Sequence, residues 1–177
     1  MSNYAIFNAS NNPLYTQSTN TYLVPAIEGS PESDAAKSGQ LYILSSGSVA
    51  VGGGSSLLLQ IANPNGSGKT VYVSSIMGGV TAAVTLNAFK GGTITGGTTP
   101  TPQNANFGSA NASIATTRQN TGTLGGTPTN IASVPLTAGM YQLQFAGGLV
   151  VPPNQTLTVT LGTTASTSSA IITWWEY

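Results

Sequence analysis

Gly68-Lys69-Thr70, reached through the loop Asn63-Pro64-Asn65-Gly66-Ser67 from an apolar run, is the place where residue types and spacing suggest phosphate chemistry. A phosphate-cradling loop needs G-x-x-x-x-G-K-[ST], so that backbone N–H groups close around phosphate oxygens. Counting back from Gly68, the first glycine position holds Asn63, and Pro64 beside it has no N–H to donate. Such a loop also opens a helix whose N-terminus faces the phosphates. Here Thr70, Val71, Tyr72, Val73 and Ser74 follow, β-branched and aromatic with no helical period, and they predict a second strand. A magnesium site would further need an acidic ligand after a hydrophobic strand, and no Asp or Glu occurs between residues 35 and 175. The stretch therefore predicts a hairpin loop with Lys69 solvated at its end.

The acid count reaches further. The carboxylate side chains are Glu28, Glu32, Asp34 and Glu176, and the chain has no histidine and no cysteine. A histidine-based triad, a thiolate nucleophile and a His/Cys metal site lack the groups that would do the chemistry. A glycosidase-like carboxylate pair would have to come from residues 28–34, a Pro/Ser-rich segment with nothing apolar to raise a pKa. Ser–Lys or Tyr–Lys chemistry at Lys69 or Lys90 has only the abundance of hydroxyls in its favour. The expectation is a protein without catalytic residues, cofactor or metal.

Charged residues make up 5% of the 177-residue chain and the formal net charge is zero, against about 25% charged residues in an average soluble domain. The polar surface must then be Thr, Ser, Asn, Gln and Gly, and little repulsion keeps copies apart. Self-association is expected. Four scattered cations make nucleic acid a poor partner. No window approaches the roughly 20 apolar residues of a membrane helix, and MSNYAIFNASNNP lacks the basic start and long apolar core of a signal peptide. The sequons at Asn8, Asn65, Asn111 and Asn154 are expected by chance in so Asn/Ser/Thr-rich a chain. A surface-like composition without an export address fits two situations: a virion component released by lysis, or a spore-surface protein made inside a mother cell that later lyses.

The elements that must position these residues fall into two parts. Residues 1–38 read as an N-terminal arm, with three acids, one lysine and the short apolar pieces YAIF and TYLV. Residues 39–177 read as one β domain, of a size to bury roughly 70% of its unfolded surface. Strand signals follow one another: QLYILSS, SVAV, SLLLQIA, TVYVSSIM, VTAAVTLNAF, TNIASVPL, MYQLQFA, LVV, QTLTVTLG and SAIITWW. Val80, Ala82, Val84, Leu86 and Ala88 alternate, as do Leu157, Val159 and Leu161, and Tyr141, Leu143 and Phe145. Period-two patterning with turn residues between predicts an all-β protein, a single β-sandwich of the jelly-roll kind, with little helix.

Two segments stand apart. Residues 91–127 are rich in Gly, Thr and Asn, and predict either a contact loop or a long connection with short strands near Ile94 and Ile114. The terminal SAIITWWEY places Ile172 and Trp174 on one face and Ile171, Trp175 and Tyr177 on the other. That arrangement predicts a strand packed on both faces ahead of a sugar-stacking platform.

The runs IANPNGSGKTVYVSSIMGGVT, LVVPPNQTLTVTLGTT and SAIITWWEY resemble small β-sandwich families of spore-forming Firmicutes and the jelly-roll subunits of endospore appendage fibres, over about residues 57–177. The resemblance implies a flexible N-terminal connector that reaches into neighbouring subunits, and sheets that augment one another along a fibre. Those connectors carry cross-linking cysteines, and this chain has none, so non-covalent packing would replace the staple. Similar phrases occur in phage fibre and capsid-decoration proteins. The expected function is a structural subunit forming an extracellular or spore-surface homopolymer, with a virion structural protein and a carbohydrate-binding module as alternatives. Subunit contacts are expected at Tyr4, Ile6, Phe7, Leu14, Tyr15, Tyr22 and Val24 of the arm, and at Trp175 and Tyr177.

Overall fold

The computed structural model describes residues 29–177, together with Asn8, Ala9, Asn12 and Pro13. Strands β1 (Asn8–Ala9) and β2 (Asn12–Pro13) pair antiparallel with each other. The one described helix, α1 (Pro31–Lys37), is followed by β3 (Leu41–Ser45), β4 (Val49–Val51), β5 (Ser56–Asn63), β6 (Val71–Val80), β7 (Val84–Lys90), β8 (Gln103–Asn104), β9 (Thr116–Gly122), β10 (Thr129–Leu136), β11 (Gly139–Val151), β12 (Gln155–Gly162) and β13 (Ser166–Glu176).

These strands form a five-stranded sheet, ordered β10-β7-β12-β5-β9, and a six-stranded sheet, ordered β11-β6-β13-β3-β8 with β4 also paired to β13. All the pairings are antiparallel. Without β4, β8 and β9, the sheets read β10-β7-β12-β5 and β11-β6-β13-β3. The chain alternates between them except at β7 to β10, and the late strands β12 and β13 return to sit beside early ones. This is the double Greek key of a jelly roll.

Period-two patterning produces this because each strand has one face in the inter-sheet core. Leu57, Leu59 and Ile61 of β5, Leu86 and Ala88 of β7, Leu157, Val159 and Leu161 of β12, and Ile172 and Trp174 of β13 meet there. Each fully buried aliphatic side chain contributes roughly 1.5–3 kcal/mol. The run VTAAVTLNAF, expected as one strand, divides: Val80 ends β6, residues 81–83 turn, and β7 begins at Val84. Its alternation survives the turn because Val80 and Val84 both face the core, one from each sheet. Conversely MYQLQFA and LVV form the single strand β11, interrupted where Gln144 and Leu149 flank a register shift opposite β6.

Helix α1 falls inside the segment expected as an arm. Its signals are local: the Ser30 hydroxyl accepts from Ser33 N–H at 3.2 Å, Pro31 opens the first turn, Glu32 and Asp34 lie near its positive end, and Lys37 lies in its last turn. It lies against the outer face of the six-stranded sheet, where Ala35, Leu41 and Trp175 form a second buried cluster. The Ser74 hydroxyl, buried in β6, donates to Glu32 at 2.7 Å and ties the helix down. Residues 31–37 of the expected arm thus pack against the sheet of their own chain.

The 91–127 segment is also more closely packed than either expectation. Its named strands are β8 and β9; Ile94 lies beside the isolated bridge of Thr93 to Gly125, and Ile114 two residues before β9. β8 pairs with the β3 edge and β9 with the β5 edge. Thr98 then bridges the outer side of β9 at Gln119. Residues 91–92 lie over the five-stranded sheet, where Thr158 Oγ1 donates to Gly91 O at 2.8 Å and Gln60 Nε2 to Gly92 O at 3.1 Å.

Candidate assembly surface

Lys69, the residue that suggested a phosphate site, sits in the turn between β5 and β6, where Gly66 and Gly68 adopt φ of 73° and 69°. The Asn63 side-chain amide donates to Lys69 O at 2.8 Å and to Val151 O at 2.9 Å, closing the turn against β11. A strand follows the turn and no helix opens there. Lys69, expected to be solvated, is so only in part, with 35% of its side chain exposed. Its ammonium lies 4.0 Å from Oε2 of Glu176, whose side chain has no exposed surface.

Glu176 points the same way as Trp174, into one end of the sandwich. It accepts from Trp174 Nε1 at 3.1 Å, from Ile114 N at 3.1 Å and from the Ser113 hydroxyl. The nearby Tyr42 hydroxyl donates to Ala112 O at 3.1 Å. Burial, and then the Glu176 charge, push the Tyr42 pKa upward. One carboxylate thus ties β13, the β5–β6 turn and the start of β9 together. Its lone pairs are engaged by donors, which makes it a fastening.

Trp175, expected at a subunit contact, is buried within its own chain at 5% exposure. Its ring stacks on Tyr72 at 5.9 Å and 10°, α1 covers it, and Gly147 lies so close that a Cβ there would meet the indole at 2.5 Å. Trp174 packs in the core against Tyr42. Neither indole offers a face to a sugar. Tyr177 is 52% exposed, and its backbone pairs with Thr70. Tyr4, Ile6, Phe7, Leu14, Tyr15, Tyr22 and Val24 lie outside the described residues.

The strands TVYVSSIM and QTLTVTLG, considered as possible open edges because they lack charge, are β6 and β12, each paired on both sides. The sheets end at β10 and β11 on one side and at the two-residue β8 and at β9, bridged by Thr98, on the other; the long edges are β10 and β11. Among the described residues no strand pairs with the outer side of either. Both edges carry no charged residue, and they lie on the side of the sandwich away from β8 and β9. The seam between them is incompletely closed: Ala132, Val134 and Leu136 of β10 and Tyr141, Leu143, Phe145 and Leu149 of β11 face the core but are only half-buried. Ile131, the extra residue of a β10 bulge, and Val150 of β11 are exposed nearby. The signal for this surface was present in the sequence as two uncharged alternating strands. Which strands were edges depends on pairing, and local patterning does not carry that.

Fold and surface together define a class, an all-β jelly-roll protein with one side extended by residues 91–127 and one open, uncharged side. No family model, curated protein or solved structure matches the chain. No described helix is long and apolar enough to cross a membrane, and the described residues contain no group of three or more His, Cys, Asp or Glu placed to hold a metal ion.

Proposed function

We propose that this protein is a structural subunit that polymerises with copies of itself at an exterior surface, such as a spore appendage, through its sheet edges and N-terminal residues. The observation that carries this reading is the pair of long, uncharged edges at β10 and β11 beside a half-open core seam. Natural monomers protect such edges with charge, proline, bulges or a covering segment. β10 has a bulge and Pro135, and β11 has one interruption, yet neither has a charge or a cover among the described residues. On the opposite side 91–127 extends the sheets by the two-residue β8 and by β9, which carries Arg118 and a bridge to Thr98, so the two sides of the subunit differ. Contacts between unlike sides propagate into filaments unless rotation closes them.

A virion structural protein is the second reading, favoured by the strand order itself, which capsid jelly rolls share. Electron microscopy and light scattering of the purified full chain test both readings. A helical filament supports the first and a closed ring or shell the second. A protein that stays monomeric at high concentration overturns both.

A further inference from the structure

Two large apolar side chains project with almost all of their surface in water: Phe107 is 96% and Met140 95% exposed. They belong to opposite edges of the same sheet, since Phe107 follows β8 and Met140 is the second residue of β11. Met140 rims a trough of about 480 Å³ with Met77, Gly79, Gln142, Ser169 and Ile171. In strand register these residues belong to the outward-facing row of β11, β6 and β13. None is charged, and the two methionines can adapt to an inserted group.

The Phe107 loop is built rather than loose. Asn104 Oδ1 accepts from Asn106 N at 2.9 Å, and Asn106 Oδ1 accepts from Gly108 N at 3.1 Å. Asn104 Nδ2 donates to Gly39 O at 2.9 Å, and Asn106 Nδ2 to Lys37 O at 3.2 Å. These bonds present an aromatic ring to solvent on a pinned support.

We propose that the Phe107 ring of one subunit enters the Met77–Met140–Ile171 trough of a second copy. This rests on the reading of the chain as a self-assembling subunit. A second copy is the occupant because knob and trough lie on opposite edges, so each subunit offers one to either neighbour. The trough is also continuous with the open β11 edge. The two features differ in height: Phe107 lies toward the Leu41–Trp175 rung, and the trough lies at the Ile171–Met77 rung and beyond. A contact with such an offset advances along the strand direction at each step and climbs into a helix.

The chain has no cysteine, so introduced pairs report cleanly. A Cβ at Gly108 meets only Asn106 Oδ1, at 3.5 Å, and Gln142 is exposed, so Gly108→Cys and Gln142→Cys keep both Phe107 and Met140. Mixing the two variants and oxidising should give a 108–142 disulfide, identified by peptide mass spectrometry, that neither variant yields alone. Assemblies visible by microscopy without that disulfide would overturn the contact and leave the self-assembly reading standing. An absence of assembly in every preparation would overturn both. A disulfide from Gln142→Cys to Tyr22→Cys in its place would assign the trough to the N-terminal residues and defeat the proposal. In parallel, Phe107→Ser should weaken association about ten- to a hundredfold with an unchanged melting temperature. Unchanged association in a folded Phe107→Ser protein would also sink it.

Discussion

At the residue scale, Glu176 and Lys69 form an unequal pair. The carboxylate is fully buried with three hydrogen-bond donors, while the ammonium is partly solvated 4.0 Å away. Glu176→Ala strands the Trp174 and Ile114 donors, at about 1–3 kcal/mol for each left unpaired. Lys69→Met removes one partly exposed charge and should cost about 1 kcal/mol. Chemical denaturation of the two variants should rank them in that order, and Mg-ATP should shift the melting of neither. Tyr141 gives a pH signature. Its hydroxyl donates to Ser169 O at 2.9 Å, and burial raises its pKa above the ordinary 10.0. A folded pKa above the unfolded value contributes stability that is present below pH 10 and lost as pH climbs toward the folded value. Stability attributable to this hydroxyl should therefore be flat through neutrality and fall in strong alkali, with Tyr141→Phe lacking that component of the fall. The sequence excluded a phosphate loop at Lys69 by spacing, because the motif is local. The Glu176 partner was hidden because the residues lie more than a hundred positions apart, and their meeting depends on where β13 enters the sheet.

Elements were legible to different depths. β5, β7, β12 and β13 could be read from alternation because each has one face in the core, and β13 also carried the two-sided burial expected of SAIITWWEY. Helix α1 was written locally in Ser30, Pro31, Glu32 and Lys37, but seven residues are too few to show a helical period. β8 and β9 were not legible: Gln103–Asn104 and Thr116–Gly122 have little apolar content and become strands by pairing with β3 and β5. The edge strand β11 supports a prediction at this scale. Gln142 and Gln144 are exposed, with Gln142 Nε2 donating to Gln144 Oε1 at 3.1 Å. Changing both to lysine places charge along the open edge while leaving the core-facing Tyr141, Leu143 and Phe145 in place. The double variant should keep the wild-type circular dichroism spectrum and lose assembly in light scattering. Assembly at the wild-type rate would move the contact away from β11.

For the whole molecule, deleting residues 1–24 should separate folding from the proposed polymerisation. The sandwich, its two clusters and α1 all lie beyond that segment, so the truncated chain should give a β-type circular dichroism spectrum. If the apolar runs YAIF and TYLV add to a neighbour's sheet, each buried side chain contributes roughly 1.5–3 kcal/mol per junction. The truncated protein should then form no filaments under negative stain, and normal filaments would make the arm dispensable. The position of β13 has a consequence in time. It is the last strand in order and lies between β6 and β3 at the middle of its sheet, so residues 166–176 must leave the ribosome before that sheet can close. At about 5–20 residues per second, one side of β3 and one side of β6 wait unpaired for seconds while their partner is translated. During that wait a β13 from a chain on a neighbouring ribosome competes for the same slot. Crowded polysomes therefore favour swapped subunits, and slower translation of the last segment lengthens the exposure.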